Sequence, residues 1–306
     1  MFYKPPKVSF EDHGNILNNI IPYFRAVDSV DKADAAVLWT DVACDALKHA
    51  KKAKELNKPL IVVQHGRCVS GDYLPPVNYP LLADKLCVWG VHDYLQLIRS
   101  GLPANRIVLT GSPLFDGVDR KKNAHNGVNV IFAPKHWQEE VDENREIIRA
   151  LHKIRGINVL AKILPVHEKE LYGNNLLLTR SHQKDHINRT FEFFRTADVL
   201  VSNQAGTVEL LALYLDIPVI FVDNAIKRPF FDNKKYALRN RTYRGGTEII
   251  KDVSLLEGAI KKHLDCPTLL QKERSEELLM TAGVGIGGRA TQRIVDVINE
   301  SIKTKR

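Results

Sequence analysis

Short apolar runs recur along the chain and alternate with longer segments whose apolar positions repeat at helical spacing. The runs are bounded by polar or glycine-containing turns. They predict strands at Ala35–Trp39, Leu60–Gln64, Lys85–Trp89, Ile107–Thr110, Val128–Ala133, Ile157–Lys162, Leu176–Thr179, Val199–Ser202 and Val219–Val222. Helical spacing predicts helices over Val42–Leu56, Asp93–Ser100, Gln138–Ile154, Asn188–Thr196, Thr207–Leu215, Ser254–Leu264 and Arg289–Ile302. The first 34 residues read as one strand, Val8–Phe10, and one helix, Asn15–Phe24. Strands that are apolar throughout are buried on both faces, and their alternation with helices indicates parallel sheets covered on both sides. The fold class is therefore α/β, doubly wound.

The pattern breaks at Asp119–Gly127, DRKKNAHNG, which is polar, charged and ends in glycine. It reads as a linker between two doubly wound domains, spanning 1–122 and 123–306, with the last helix packing back on the first domain. The glycine cluster Gly283–Gly288 follows no predicted strand and reads as a hinge before that helix rather than a nucleotide loop.

One stretch of the second domain has the form of a ligand-binding unit. Asp198–Asp223, DVLVSNQAGTVELLALYLDIPVIFVD, is a strand, a polar loop, a helix of about two turns and a second strand. Its first turn, Ser202-Asn203-Gln204-Ala205-Gly206-Thr207, aims the N–H groups of a helix start at the carboxyl edge of a parallel sheet, which suits a phosphate or diphosphate. Ser202, Gly206 and Thr207 are the candidates for that contact. Their small side chains allow close backbone approach.

Other candidates lie at equivalent strand ends. His65 closes the strand Leu60–Gln64 in VVQHGRC, where a histidine can serve as a general base. Lys135 and His136 follow Val128–Ala133, Lys162 closes the next strand, and His167 lies five residues further on. Lys135, His136 and Lys162 are the candidates there to pair with a phosphate. Glu209, in the helix after the loop, could accept the hydroxyls of a ribose or complement the helix dipole.

Composition narrows the function classes. With 44% hydrophobic residues the chain builds real cores, and no apolar run reaches the length of about 20 residues that a membrane span needs. The start, MFYKPPKVSFEDHG, has no apolar stretch of signal-peptide type. A cytoplasmic protein is expected, with peripheral contact at the inner membrane face as an alternative. Cys44, Cys68, Cys87 and Cys266 are scattered and read as reduced thiols. His182 and His186 lack a third ligand, so no metal site and no cofactor are expected.

The net charge of +8 is uneven. KRPFFDNKKYALRNRTYR, residues 227–244, interleaves aromatics with seven basic residues against one acid. Within it, Arg228, Lys234, Lys235, Arg239 and Arg241 are candidates to hold an anionic substrate or an anionic membrane surface. No nucleic-acid-binding signature accompanies the charge, so nucleic acid is not an expected partner.

Taken together, QHG at residues 64–66, ADKLCVWGVHDYLQLIRSGLPANRIVLTGSPLFD at the end of the first domain and Asp198–Asp223 resemble the GT-B superfamily. Two groups within it are closest in motif: the CDP-glycerol glycerophosphotransferase and capsule-polysaccharide transferases, and the UDP-N-acetylglucosamine 2-epimerases. The resemblance covers roughly residues 35–300. It implies two Rossmann-like domains facing a cleft, the first of them shortened, the second binding the nucleotide donor and the first serving the acceptor.

His65-Gly66 matches the catalytic His-Gly of the polymer transferases, whereas Lys162-Ile163-Leu164-Pro165 lacks the histidine of their Lys-x-His-Pro motif. Pro165-Val166-His167 matches the epimerases instead. Glu209 precedes Pro218 by nine residues where both groups have the ribose-binding Glu at seven, a position held here by Leu211.

The resemblance implies a transferase that moves a sugar or a polyol phosphate from a nucleotide-activated donor to a cell-surface glycan or a lipid-linked acceptor. Two alternatives are a UDP-N-acetylglucosamine 2-epimerase-like enzyme and a non-catalytic nucleotide-sugar-binding protein of GT-B type.

Overall fold

Two all-parallel sheets organise the chain in the computed structural model, which describes residues 5–11, 17–42, 44–67, 73, 78–134, 141–161, 186–203, 206–223, 244–285 and 289–305. The described residues form two compact units. One comprises those of 1–118 and 279–305, the other those of 119–223 and 244–278.

In the first unit the strands are β1 (Lys7–Glu11), β2 (Arg25–Val27), β3 (Ala35–Leu38), β4 (Leu60–Val63), β5 (Lys85–Val88) and β6 (Ile107–Leu109). Their order in the sheet is β2-β1-β3-β4-β5-β6. The chain winds outward from β1 in both directions, so the strand order reverses between β1 and β3. Helices α1 (Cys44–Glu55), α2 (Val91–Arg99) and α8 (Ala290–Lys305) belong to this unit. One face of the sheet buries Ala36, Leu38, Leu60, Val62, Leu86 and Val88 with Ala50 and Ala53 of α1 and Leu97 of α2. The alanines let α1 lie close to the strands. α8 packs on β3 and buries Ile294, Val295, Ile298 and Ile302.

Gly90 and Gly283 are required here by close approach. A Cβ on Gly90 would strike the backbone of Met280 and Thr281, and one on Gly283 would strike the carbonyl of Trp89. Gly283, read from sequence as the start of a hinge, is a packing glycine with φ of +67°.

In the second unit the order is β11-β10-β9-β7-β8, from β7 (Val128–Ala133), β8 (Ile157–Ala161), β9 (Val199–Ser202), β10 (Val219–Val222) and β11 (Thr247–Ile250). The order reverses between β7 and β9. Its helices are α3 (Val141–Lys153), α4 (His186–Phe194), α5 (Thr207–Tyr214), α6 (Leu256–Asp265) and the first eight residues of α7 (Gln271–Ala282). Val130, Phe132, Val199, Val201, Ile220 and Val222 pack with Ile147 and Leu151 of α3 and Leu256 and Ile260 of α6.

The segment read as a linker is strapped to this unit. The Arg195 guanidinium donates to the carbonyls of Asp119 at 2.7 Å and Lys121 at 3.0 Å, and Arg120 lies 4.4 Å from the centre of the Tyr214 ring.

Four elements depart from the sequence pattern. Residues 17–24 form a turn and a short 3-10 segment, Ile21–Tyr23, instead of the end of a helix; Pro22 removes an N–H that an α-helix would use. The edge strands β2 and β11 were not predicted, because β2 has three residues and β11 is half polar. Helix α7 was missed because its buried face carries Arg274 and Glu277, so no apolar stripe marks it. Arg274 reaches Asp216 at 2.8 Å, while Glu277 accepts from the Gly246 N–H at 2.7 Å and the Thr247 hydroxyl at 3.0 Å. The predicted strand Leu176–Thr179 lies outside the described residues. Among the described residues no helix is long and apolar enough to cross a membrane.

Candidate functional site

Ligands of open α/β sheets bind at the carboxyl ends of the strands where strand order reverses. In the second unit that point lies between β7 and β9. Ser202 ends β9 fully buried, and Asn203 follows it, also fully buried. The Asn203 side chain donates to the Asn144 amide oxygen at 2.9 Å. Asn144 is a buried residue in the first turn of α3, the helix that follows β7. This bond ties the two loops that flank the reversal.

Gly206 is the N-cap of α5 and has extended backbone, with no side-chain cap on the helix start. The first N–H groups of an uncapped helix lack intrahelical partners and carry the positive end of its dipole. A Cβ on Gly206 would meet nothing within 4 Å. Thr207 opens the helix, partly exposed. Gly206 and Thr207 thus open α5 at the switch point, and Ser202 ends the strand before it.

Glu209, in the first turn of α5, is fully buried. Its carboxylate lies 3.7 Å from the Arg244 guanidinium, which also stacks 4.2 Å from the centre of the Phe221 ring. The pair cancels charge behind the helix start, so the carboxylate does not oppose an anion in front of it. Its burial and its arginine partner set Glu209 apart from an exposed carboxylate waiting for hydroxyls.

In the first unit, His65 follows β4 directly and is partly exposed. Its Nδ1 lies 3.2 Å from the Trp39 carbonyl oxygen, and the two rings meet edge to face at 4.6 Å between centroids. A carbonyl only accepts, so Nδ1 carries the proton and the Nε2 atom of the neutral ring carries the lone pair.

The turn holding His65 is pinned by Gln64, which is fully buried. Its amide donates to the Gly66 carbonyl at 2.6 Å and to Asp93 at 3.0 Å, and accepts the Trp89 N–H at 2.6 Å. Trp39 itself follows β3, beside the reversal between β1 and β3.

Carboxylates near this edge are engaged in holding the fold. Asp41, fully buried, accepts from the Tyr73 hydroxyl at 2.7 Å and the N–H groups of Leu82 and Ala83 at 2.7 and 2.8 Å. Asp116, after β6, caps α8 by accepting from the Ala290 and Thr291 N–H groups, while Asp84, at the opposite edge before β5, binds Lys54 and Lys305.

Of the candidates read from sequence, His65, Ser202, Gly206, Thr207 and Glu209 fall among the described residues. Lys135, His136, Lys162, His167, Arg228, Lys234, Lys235, Arg239 and Arg241 lie outside them. Sequence reasoning missed Asn144, Gln64 and Trp39 as supports. Gln64 had one signal, a polar residue at the end of an otherwise apolar strand; Asn144 had none, being one polar residue among many at a helix start.

No protein-family model and no curated protein sequence matches the chain. Solved structures do. The wall teichoic acid polymerase TagF soaked with CDP-glycerol superposes with a TM-score of 0.65 at 16% identity, over 99% of this chain and 90% of that one. A Listeria monocytogenes protein described as a UDP-N-acetylglucosamine 2-epimerase gives 0.66 at 14% identity, over 99% and 98%. The S. aureus MnaA–UDP complex gives 0.63 at 12% identity, over 97% of each chain. At these identities the likeness concerns the fold, and with the two parallel sheets it is the GT-B type.

Proposed function

From a chain with the GT-B fold, we propose a transferase that moves a sugar or a polyol phosphate from a nucleotide-activated donor to a cell-surface glycan or a lipid-linked acceptor. The observation that carries this reading is the tautomer set at His65. The Trp39 carbonyl accepts from Nδ1, so in the neutral ring Nε2 is the basic nitrogen, the atom that would take the proton in a general-base step.

In the reaction His65 takes the proton of the acceptor hydroxyl as its oxygen attacks the donor. If the sugar carbon is attacked, its bond to the diphosphate oxygen breaks and the nucleoside diphosphate leaves. If a polyol phosphate is transferred, the bond broken is the P–O bond of the diphosphate and the nucleoside monophosphate leaves. The α5 N-terminus, with Ser202, Gly206 and Thr207, stabilises the charge on the leaving phosphate. Lys135, His136 and Lys162 are proposed as its cationic partners. His167 is proposed at the donor sugar and Glu209 at the ribose, the latter on condition that Arg244 yields its place. The basic segment 227–244 is proposed to hold an anionic acceptor or an anionic membrane surface.

The fate of the first unit's carboxylates favours transfer over epimerisation. An epimerase that eliminates and re-adds UDP needs carboxylic acid and base groups free to exchange protons with a sugar. Of the aspartates that could take those roles, Asp84, Asp93 and Asp116 are held by lysines, by Gln64 and by a helix start, while Asp72 lies outside the described residues.

The test is calorimetric titration with UDP, CDP and GDP, followed by incubation with the sugar- or polyol-linked form of whichever binds. Binding with acceptor-dependent release of nucleotide supports the transferase. Production of the manno epimer from UDP-N-acetylglucosamine would replace it with the epimerase, and no binding of any of the three would overturn the reading.

A further inference from the structure

The first unit contains an open pocket of about 760 Å³ that neither His65 nor the donor loop uses. Small-molecule sites measure about 300–1,000 Å³. The pocket lies among the turn after β1, the turn after β6 and the start of α8. Asn19, Tyr23, Phe115, Asp116, Arg289 and Gln292 line it.

The lining has a distinct chemistry. Tyr23 presents an aromatic ring that is 49% exposed, while Phe115 beside it is almost wholly buried. Two amides are oriented by their N–H groups. Asn19 donates to the Pro113 carbonyl at 2.8 Å and Gln292 to Asp296 at 2.9 Å, so each keeps its amide oxygen as an acceptor. Arg289 is exposed and forms no ion pair among the described residues. Asp116 spends both oxygens on the N–H groups that open α8, at 3.2 and 2.6 Å, and the helix dipole offsets its charge.

A phosphate in this pocket would face Asp116 as well as Arg289. A cation would find a single carboxylate already committed to a helix start. A sugar ring meets neither obstacle. Its C–H face suits an aromatic ring, and its hydroxyls, each donor and acceptor, suit amide oxygens and a guanidinium at once.

We propose that this pocket binds a neutral hexopyranose unit, with its C–H face on Tyr23 and its hydroxyls on Asn19, Gln292 and Arg289. Its role as an acceptor subsite rests on the transferase reading, whereas sugar binding by the pocket does not.

The experiment is saturation-transfer NMR on the full chain with glucose, galactose, mannose, N-acetylglucosamine and N-acetylgalactosamine, with phosphorus NMR of inorganic phosphate in parallel. Expected is transfer to the ring C–H protons of at least one hexose, lowered about fivefold or more in Tyr23→Ala and kept in Tyr23→Phe, as loss and retention of a stacking contact require. Transfer to none of the five sugars overturns the proposal, as does equal transfer in Tyr23→Ala or phosphate binding in place of sugar.

Calorimetry with UDP, CDP and GDP on the same variants separates the two readings. Nucleotide binding retained in Tyr23→Ala shows that variant folded and the donor site intact. Sugar binding without nucleotide binding in the wild type leaves the pocket standing and removes the transferase.

Discussion

The side-chain amide of Asn203 donates to that of Asn144 at 2.9 Å, both residues being fully buried. One follows the strand before the proposed phosphate loop and the other lies in the first turn of the helix beyond the neighbouring strand, so the bond ties these two segments at the switch point. Asn144→Ala removes the acceptor from a buried amide. Such losses cost about 1–3 kcal/mol. The expected result is a lower denaturant midpoint together with weaker binding of the nucleotide, measured by chemical unfolding and calorimetry. Unchanged nucleotide affinity at reduced stability would limit the pair to a structural role.

Gly206 separates folding from binding. Because a Cβ there meets nothing within 4 Å, Gly206→Val is expected to fold with a near-normal melting temperature. Its side chain would add bulk at the α5 N-terminus, so nucleoside diphosphate binding is expected to fall below detection by calorimetry. Binding at wild-type strength would show that the phosphate sits elsewhere.

At His65 the expectation is a split between binding and turnover. His65→Ala should leave nucleotide affinity within about twofold and lower the transfer rate by about 10²–10⁴, the range for loss of a general base. A Trp39 substitution cannot test this contact, since the acceptor is a backbone carbonyl.

The cysteines offer a check on packing that needs no substrate. Burial pushes the Cys87 thiol up to about 12, because the thiolate would sit in an apolar sheet interior. Cys266 is exposed. Iodoacetamide labelling followed by peptide mass mapping should modify Cys266 in the native protein and Cys87 only after unfolding. The folded state holds the Cys87 proton to higher pH than the unfolded chain does. Its contribution to stability is therefore complete below the ordinary value of 9.0 and is lost as pH rises from there to about 12.

His263 gives the opposite dependence. Burial lowers its pKa from 6.5, and this outweighs the Glu248 carboxylate 2.8 Å away, which acts to raise it. The folded state prefers the neutral ring. The contribution is complete above pH 6.5 and is lost as pH falls through the lowered folded value. Unfolding midpoints measured across this range should decline on acidification in the wild type, and less steeply in His263→Gln.

The sequence by itself determined the class of fold and the place of its central strands. A strand covered by helices on both faces is apolar nearly throughout, so β3, β4 and β10 are visible as unbroken runs, and β7 and β9 as runs with one polar residue each. The loop before α5 was legible for the same reason, as the polar gap between two such runs, and His65 as the polar residue just beyond another. Edge strands and partly polar cores leave no such trace. β2 and β11 are short or half exposed, and α7 turns Arg274 and Glu277 inward.

Only the tertiary structure decided which partners those groups meet. Asn144 reaches Asn203 across 59 residues of chain, and Arg244 reaches Glu209 from beyond the next strand. A hydrogen bond or ion pair depends on where two segments are placed in space, and apolar periodicity records only which side of an element is buried. The pairing of Glu209 with Arg244 and its burial come from the tertiary structure, and the tautomer of His65 follows from a backbone carbonyl that no side-chain pattern could reveal.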